Sequence, residues 1–438
     1  MTNKSESVCP WLVVWRNPSG VGNLNEKPRI IENFDFGILP RVPGLAWDES
    51  YPVIRMPDAT PDSESPGLLL RVMIEVKATD DALKDLVHHF GEKSVFSDPR
   101  IDHFDRVITK FKDRDKGTCE EARSQISCES AWKAGMEGQD VLVAVLDTGI
   151  DKPYLEKNCP DGVRLSESYS MHCCGSHIPP DPGTFSSYHG TMCAYHIARV
   201  APKCTLIDIC ILPSEQVEFD EFTSNGILAF THLRDLRDFL AKKGEYPSIV
   251  VNCSWGVEDP SSQLAQPEDK RYFDNAEHPL NLIVEDIGLA GIDVVFAAGN
   301  SGNRKGNNKT IVSINGANSH PEVITVGGVD IDDLPVGYSS RGPGTLMDRK
   351  PDICAYTHFV GSKAIGPKDV GASVSAAMTS GSICLLRSLL PYDPNDPKRS
   401  PAAMRDIIRA TSRKPKGHVF DHVLGHGILD MAAWPALK

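Results

Sequence analysis

The chain has 438 residues, of which 40% are hydrophobic and 24% are charged, a composition typical of globular proteins. This length fits two or three domains, or one large α/β domain with an extension. The formal net charge of −13 disfavours nucleic acid as the main ligand, because phosphate binding requires concentrated lysine and arginine.

The N-terminal stretch contains one short apolar segment, WLVVW, at residues 11–15. A secretory signal requires an apolar core of roughly 7–15 residues, and a bilayer span requires about 20. No apolar run in the sequence is long enough for a span, so we expect no membrane partner. Because the segment is also too short for a secretory signal, we expect a cytoplasmic protein.

Residues 68–113 have the pattern of a small α+β module. Three segments predict strand, helix and strand in turn: LLLRVMIEV (68–76), TDDALKDLVHHFG (79–91) and DRVITKFKD (105–113). The stretch at 112–127, KDRDKGTCEEARSQIS, is polar and charged with few apolar anchors, which is typical of a cleavable connection. We therefore predict an N-terminal region at residues 1–127 and a second domain at 128–438.

The second domain alternates between strand-like and helix-like segments. Five nearly continuous, β-branched apolar runs predict strands buried on both faces: VLVAVLD (141–147), TLIDICIL (205–212), SIVVNCSWG (248–256), IDVVFAAGN (292–300) and VITVGGV (323–329). Three segments between them have helical spacing: HGTMCAYHIARV, NGILAFTHLRDLRDFLAKKG and PLNLIVEDIGLAG. This alternation predicts a three-layer α/β/α domain with a central, mainly parallel sheet, whose ligands bind at the carboxyl ends of the strands.

Three polar side chains stand at or near those ends. Asp147 closes the first strand, His189 begins a helical segment, and Asn300 follows the fourth strand. A carboxylate and an imidazole, with a hydroxyl, are the groups that acyl transfer uses, and an asparagine amide can stabilise the oxyanion. Each residue alone also has a structural interpretation: an Asx turn for Asp147, a buried structural histidine for His189, and a turn residue for Asn300.

The candidate hydroxyl is Ser373, within GASVSAAMTSG at residues 371–381. Its small neighbours leave room for a substrate carbonyl to approach a nucleophile. The same composition also fits the start of an Ala/Ser-rich helix that is capped by Ser373 or Ser375. A general base elsewhere in the chain is needed to separate the two interpretations.

Taken together, these motifs resemble those of the subtilisin-like serine peptidases. The order Asp147, His189, Ser373 is the family's order. The resemblance covers about residues 128–438 and includes these stretches: VLVAVLDTGID, HGT, NCSWG, AAGNSG, YSSRGP and GASVSAA. It departs from the family pattern at Ala372, where threonine is usual, and within HGTMCA, where Cys193 stands at a position that is commonly valine.

The resemblance implies roles for these residues. Asp147, His189 and Ser373 would form a catalytic triad, with Asn300 donating to the oxyanion. The substrate would lie as an added β-strand against one segment, Ser254, Trp255 and Gly256. Glu258 and Asp259 follow that segment and would favour basic substrate residues, or are simply solvated loop charges.

The cysteines and histidines do not predict a metal centre. The 12 cysteines are scattered and several lie in apolar runs, which indicates reduced, buried thiols rather than a disulfide framework. In MHCCGSH, four residues (His172, Cys173, Cys174 and His177) are metal-ligand types, but adjacent cysteines chelate a tetrahedral ion poorly. We assign no metal and expect no required cofactor. Structural calcium is frequent in the family, but no loop of ligands is identifiable here.

Two interpretations of residues 1–127 remain open. The module resembles the inhibitory propeptide of the subtilisin-like family, whose tail enters the cleft, and self-cleavage would then fall within 112–127. It is equally consistent with a permanent N-terminal domain that binds a regulatory partner.

The sequence thus predicts a serine endopeptidase that acts on protein or peptide substrates through an acyl-enzyme. The alternatives are a dedicated peptide maturase or transpeptidase on the same fold, and a non-catalytic binding protein that retains the fold.

Overall fold

The computed structural model describes ten stretches of the chain: residues 8–16, 29–57, 67–103, 117–173, 181–213, 221–257, 266–302, 314–415, 417 and 419–437. The description below concerns these residues.

An antiparallel sheet forms the N-terminal part of the described chain. Its six strands are β1 (Val8–Trp15), β2 (Ile30–Ile31), β3 (Leu45–Trp47), β4 (Val53–Arg55), β5 (Leu68–Glu75) and β6 (Val95–Ser97). Their order is β2-β4-β5-β1-β6, and β3 also pairs with β5. The apolar segment WLVVW lies in β1, which pairs along its full length with β5 and also with β6. This segment is therefore a central strand.

Helix α1 (Thr79–Phe90) packs on this sheet. The carboxylates of Asp80 and Asp81 in its first turn interact favourably with the positive end of the helix dipole. The helix ends at Gly91, which has a φ of 98°. The strand and helix predicted at 68–76 and 79–91 are confirmed. The strand predicted at 105–113 lies outside the described residues.

A parallel sheet forms the centre of the second domain. After the short strand β7 (Ile101–Asp102), its strands are β8 (Val141–Asp147), β9 (Arg164–Leu165), β10 (Met171–His172), β11 (Thr205–Cys210) and β12 (Ser248–Cys253), followed after β13 (Gly256–Val257) by β14 (Ile292–Ala297), β15 (Val323–Val329) and β16 (Ile353–Tyr356). The order is β10-β11-β8-β12-β14-β15-β16, with β9 beside β11, and these pairs are parallel. All five predicted strands are confirmed, and three of them end two or three residues earlier than predicted.

Helices cover both faces of this sheet. They are α2 (Cys119–Gln125), α3 (Cys128–Lys133), α4 (Lys152–Asn158), α5 (His189–Val200), α6 (Thr223–Lys242), α7 (Pro279–Leu289), α8 (Ala372–Leu389) and α9 (Pro401–Thr411). Residues of α5, α8 and α9 belong to one buried apolar cluster, and residues of α6 and α7 belong to another on the opposite face. The predicted three-layer α/β/α fold is thereby confirmed.

The N-terminal sheet packs against α6 and α7. Leu12, Leu69 and Phe96 of this sheet lie in the same apolar cluster as Ile227 of α6 and Ile283 of α7. The two parts of the chain therefore share a continuous apolar core. Full burial of one such side chain contributes roughly 1.5–3 kcal/mol to stability.

Polar groups of the N-terminal part complete the ends of these helices. The carboxylate of Asp98 accepts hydrogen bonds from the Thr223 hydroxyl at 2.7 Å and from the Ser224 N–H at 2.9 Å, so it caps α6. The other carboxylate oxygen of Asp98 binds Arg71 at 3.0 Å. His278, which caps α7 through Nδ1, donates from Nε2 to the Ser97 carbonyl at 2.8 Å.

The described cysteines are free, and all but Cys9 are buried. Of the four metal-ligand types in MHCCGSH, His172 and Cys173 are described, whereas Cys174 and His177 lie outside the described residues. None of the helices in the described stretches combines the length and apolar character that crossing a membrane requires.

Candidate active site

Asp147 and His189 form a buried pair at the carboxyl edge of the parallel sheet. Asp147 is the last residue of β8, which lies between β11 and β12, and His189 is the first residue of α5. His189 Nδ1 lies 2.8 Å and 3.0 Å from the two carboxylate oxygens of Asp147. The Thr148 N–H also donates to this carboxylate, at 2.8 Å. The carboxylate therefore fixes a tautomer in which Nδ1 carries the proton, which leaves Nε2 to act as the base.

Close backbone packing between the start of α5 and the end of β8 positions this pair. The Gly190 N–H donates to the Thr148 hydroxyl at 3.0 Å. A Cβ atom at Gly190 would lie 2.4 Å from the Gly149 carbonyl oxygen, so a larger residue there would force α5 away from β8. The HGT motif is therefore a packing requirement as well as a chemical one.

Cys193 lies one helical turn after His189 and contacts the same carboxylate. Its Sγ is 3.7 Å from Asp147 Oδ2, and it donates a weak hydrogen bond there. Among the described residues, Asp147, His189 and Cys193 are the one group of potential ligands compact enough for a metal ion. His189 and Cys193 are each hydrogen-bonded to Asp147, and this arrangement fits proton transfer.

Ser373 is the second residue of α8. The helix follows Gly371, whose φ of 99° requires glycine, and the Gly371 carbonyl accepts a hydrogen bond from Thr357 Oγ1 at 2.8 Å. Ser373 Oγ lies 3.5 Å from the Ser254 carbonyl, so the serine contacts the predicted substrate segment. Ser375 is different, because its hydroxyl donates to the Ala355 carbonyl at 3.0 Å inside the core.

Asn300 connects this helix to the end of β14. Its Oδ1 accepts from the Ala372 N–H at 2.9 Å, which fixes the orientation of the side-chain amide. Its Nδ2 is buried and has no hydrogen-bond partner among the described residues. A buried N–H without an acceptor is costly, so this donor is suited to a charge that develops in the site during a reaction.

The segment Ser254, Trp255 and Gly256 runs beside Ser373. The Trp255 side chain is fully buried and packs edge-to-face on Phe296 at 5.2 Å, so it belongs to the core. The backbone of the segment is what faces the cleft. Glu258 and Asp259, which the sequence suggested as charges near the substrate, lie outside the described residues.

The chain's own residues 99–103 occupy the cleft. Asp102 and Ile101 of β7 pair antiparallel with Gly256 and Val257 of β13. On the other side, the Ile101 N–H donates to the Glu221 carbonyl at 2.9 Å. This segment is therefore the middle strand of three, as expected for a peptide that binds by strand addition.

His103 continues this strand and reaches the candidate catalytic pair. Its ring lies on that of His189, with 4.8 Å between the centroids and 33° between the planes. This contact was not predicted, because residues 99–103 have neither a periodic pattern nor a motif. Their partners in the cleft, His189 among them, are distant in the chain.

A second buried histidine pair, which the sequence analysis also missed, links α5 to the loop before α8. Two turns after His189, His196 Nε2 lies 2.8 Å from Asp369 Oδ2, and its Nδ1 lies 3.8 Å from Cys119 Sγ. Burial alone would lower the pKa of His196, but its hydrogen bonds with Asp369 and Cys119 raise that pKa to about 9. His196 is therefore charged at neutral pH and anchors the segment that leads to Ser373.

Within this three-layer α/β fold, the buried Asp147–His189 pair and Ser373, the second residue of α8, are of the residue types that serine hydrolases use. The profile of the Subtilase family matches residues 138–427, and the chain belongs to this family.

Two curated proteases are similar in sequence to this chain over about two thirds of its length. The subtilisin-like protease SBT6.1 of Arabidopsis thaliana is 26% identical over 310 residues, which cover 67% of this chain and 26% of the relative. The human membrane-bound transcription factor site-1 protease is 27% identical over 328 residues, which cover 70% of this chain and 26% of the relative. The chain thus spans about a quarter of the length of these relatives. The solved structure of MycP1 with the N-terminal propeptide removed has 20% identity and a TM-score of 0.49, covering 72% of this chain and 97% of that one.

Proposed function

We propose that this chain is a serine endopeptidase that hydrolyses peptide bonds through an acyl-enzyme. The observation that carries the proposal is the buried Asp147–His189 pair, which lies at the same edge of the sheet as Ser373 and Asn300, whose Nδ2 has no hydrogen-bond partner among the described residues. The combination favours acyl transfer over the separate structural interpretations of each residue.

The proposed mechanism assigns one role to each of these residues. His189 Nε2 removes the proton from Ser373 Oγ as this oxygen attacks the scissile carbonyl. Asp147 stabilises the imidazolium, and Asn300 Nδ2 donates to the oxyanion. The imidazolium then gives its proton to the leaving amine, and the acyl group remains on Ser373. A water molecule attacks this ester with His189 again as the base, which releases the carboxylic acid and restores the serine.

The test is covalent labelling combined with peptide hydrolysis. A fluorophosphonate probe should modify Ser373, and the Ser373→Ala variant should lose labelling and about 10⁶-fold in kcat. Ser375→Ala is the matched control, because Ser375 is a serine of the same helix whose hydroxyl is used inside the core. Labelling of Ser373→Ala, or equal loss of activity in both variants, would contradict the assignment.

We further propose that residues 1–127 include an inhibitory, propeptide-like module. The support is the position of residues 99–103 in the cleft, with His103 on the ring of His189. A scissile bond soon after His103 fits this contact better than one within 112–127, because Cys119–Gln125 is helical and buries Cys119 and Ala122 in the core of the second domain.

Intact mass distinguishes this proposal from a permanent regulatory domain. Freshly purified active protein should separate into two fragments, whereas Ser373→Ala should keep all 438 residues. Full-length mass together with full peptidase activity would instead support a domain for partner binding. The cytoplasmic location expected from the sequence stays a prediction.

A further inference from the structure

Asp208 is a buried carboxylate on a strand next to the candidate catalytic pair. It lies in β11 and is fully buried. In the register of β11 with β8, Asp208 pairs with Val145 and Cys210 pairs with Asp147. Because alternate residues of a strand share a face, the side chains of Asp208 and Asp147 lie on the same face of the sheet. The two carboxylates are therefore near neighbours.

The carboxylate of Asp208 fastens two segments of the chain. Its Oδ2 accepts hydrogen bonds from the Gly183 N–H at 2.9 Å and from the Ile150 N–H at 3.3 Å. Ile150 follows Asp147 by three residues, and Gly183 precedes His189 by six. One oxygen atom thus holds both the segment that leaves Asp147 and the segment that leads to His189.

These two segments also bind each other and the helix that carries the candidate base. The Phe185 N–H donates to the Ile150 carbonyl at 3.1 Å. The Asp151 N–H donates to the hydroxyl of Thr191 at 3.0 Å, and Thr191 follows His189 by two residues in α5. The backbone that Asp208 supports therefore contacts α5 at its first turn.

We propose that Asp208 is a positioning residue for the Asp147–His189 pair. The inference rests on the proposed peptidase function and deepens it, since Asp208 acts through the segments that hold the pair. The positioning atom is the acceptor Oδ2. The other oxygen, Oδ1, is buried and has no hydrogen-bond partner among the described residues. An asparagine can therefore take over the positioning with its amide oxygen, because it gives up no hydrogen bond at the second atom.

The charge of Asp208 adds a second, separable effect. Burial raises the pKa of Asp208, the N–H groups of Gly183 and Ile150 lower it in part, and the charge of Asp147 raises it further, to about 7. Asp208 thus gains a negative charge near the pH at which an imidazole loses its proton. That charge favours the imidazolium of His189, so the two groups titrate together. The charged and imidazole groups on the surrounding elements are Asp147 of β8, His172 of β10, His189 of α5, Asp151 and Lys152 at the start of α4, and Asp181 before Gly183.

Two substitutions separate the positioning from the charge. The assay is hydrolysis of an internally quenched peptide with the sequence of residues 97–107 by the self-processed enzyme, with active sites counted by fluorophosphonate labelling. Asp208→Ala removes the acceptor and should lower the plateau kcat by about 10- to 100-fold, with KM changed less than about twofold. Asp208→Asn keeps the acceptor and should hold the plateau kcat within about threefold of the unchanged enzyme.

The pH profile supplies a readout that a purely structural role would not move. In Asp208→Asn, the pH at which kcat/KM is half-maximal on the acid side should fall by roughly 0.3–1 unit, because the imidazolium loses a neighbouring negative charge. Asp293→Asn is the matched control. Asp293 is also a buried strand carboxylate, but it lies near the amino end of β14 and binds Arg387. Its substitution should leave the plateau kcat and the profile unchanged.

The outcomes distinguish the inference from the peptidase function. An unchanged kcat in Asp208→Ala would overturn the positioning role, and coincident profiles of Asp208→Asn and the unchanged enzyme would overturn the coupling. If Asp208→Ala does not fold, Asp208→Leu fills the same space without an acceptor, and the same loss of kcat is expected. Each of these results leaves the peptidase function intact. Absence of labelling and cleavage in the unchanged enzyme would overturn the peptidase function and the role of Asp208 with it.

Discussion

Replacing His196 by glutamine is expected to change how the stability of the protein depends on pH. His196 is fully buried and charged, and its partner Asp369 also accepts hydrogen bonds from the hydroxyl and the N–H of Ser362. Burial alone would raise the pKa of Asp369, but its contacts with His196 and Ser362 lower it. Glutamine keeps a donor of similar reach but removes the positive charge.

The magnitude follows from the pKa of His196, which is about 9 in the folded protein against 6.5 in the unfolded chain. Below pH 6.5 the imidazole is protonated in both states, and the stabilisation is fully present. As the pH rises to 9, the unfolded chain releases the proton and the folded protein keeps it. The stabilisation therefore falls by about 1.4 kcal/mol for each pH unit, and about 3 kcal/mol is lost in total.

The assay is urea unfolding at several pH values between 6 and 9.5 for the unchanged protein and for His196→Gln. The difference in the free energy of unfolding between the two should shrink as the pH rises. His278→Gln is the control at pH 7.5 and above, because burial lowers the pKa of His278 to about 4 and the imidazole is then neutral in both the folded and the unfolded state. Parallel curves for the unchanged protein and His196→Gln would refute a charged His196.

Three further variants test other contacts. Asn300→Ala should lower kcat by roughly 10²–10³-fold with little change in KM, and a change in KM alone would mean ground-state binding instead. Asp98→Ala removes the cap of α6 and a partner of buried Arg71, so urea unfolding should show a loss of about 3 kcal/mol; an unchanged midpoint would contradict this. Cys193→Val removes the thiol donor to Asp147 and should lower kcat/KM by about threefold, whereas Cys193→Ser should retain it; equal values for both would remove any role for the donor.

The sequence predicted those parts of the fold whose signal is local. The strands at 141–147 and 323–329 were found at their exact bounds, because strands buried on both faces are continuous apolar runs. The segment WLVVW was interpreted only as too short for a secretory signal, although it lies in a central strand of the N-terminal sheet. Its role depends on partners at residues 68–75, which no local pattern reveals.

The residues of the candidate site also fall into two groups, those with a local sequence signal and those without one. Asp147, His189, Asn300 and Ser373 were predicted because each stands in a motif of fixed local sequence. The pair of His196 and Asp369 was not, because the two residues are 173 positions apart and neither lies in a motif. The contact between His103 and His189 was missed for the same reason, since the two rings meet only in the folded chain.

The occupied cleft has a consequence for the proposed activation of the protein. Residues 99–103 are tethered to a sheet that shares a core with α6 and α7, so they are presented to the cleft at an effective concentration of roughly millimolar. A free peptide of equal intrinsic affinity has to reach that concentration to displace half of the tethered strand. In the proposed inhibitory arrangement, micromolar substrate therefore does little to open the cleft by mass action, and release of the tether sets the timing of activity.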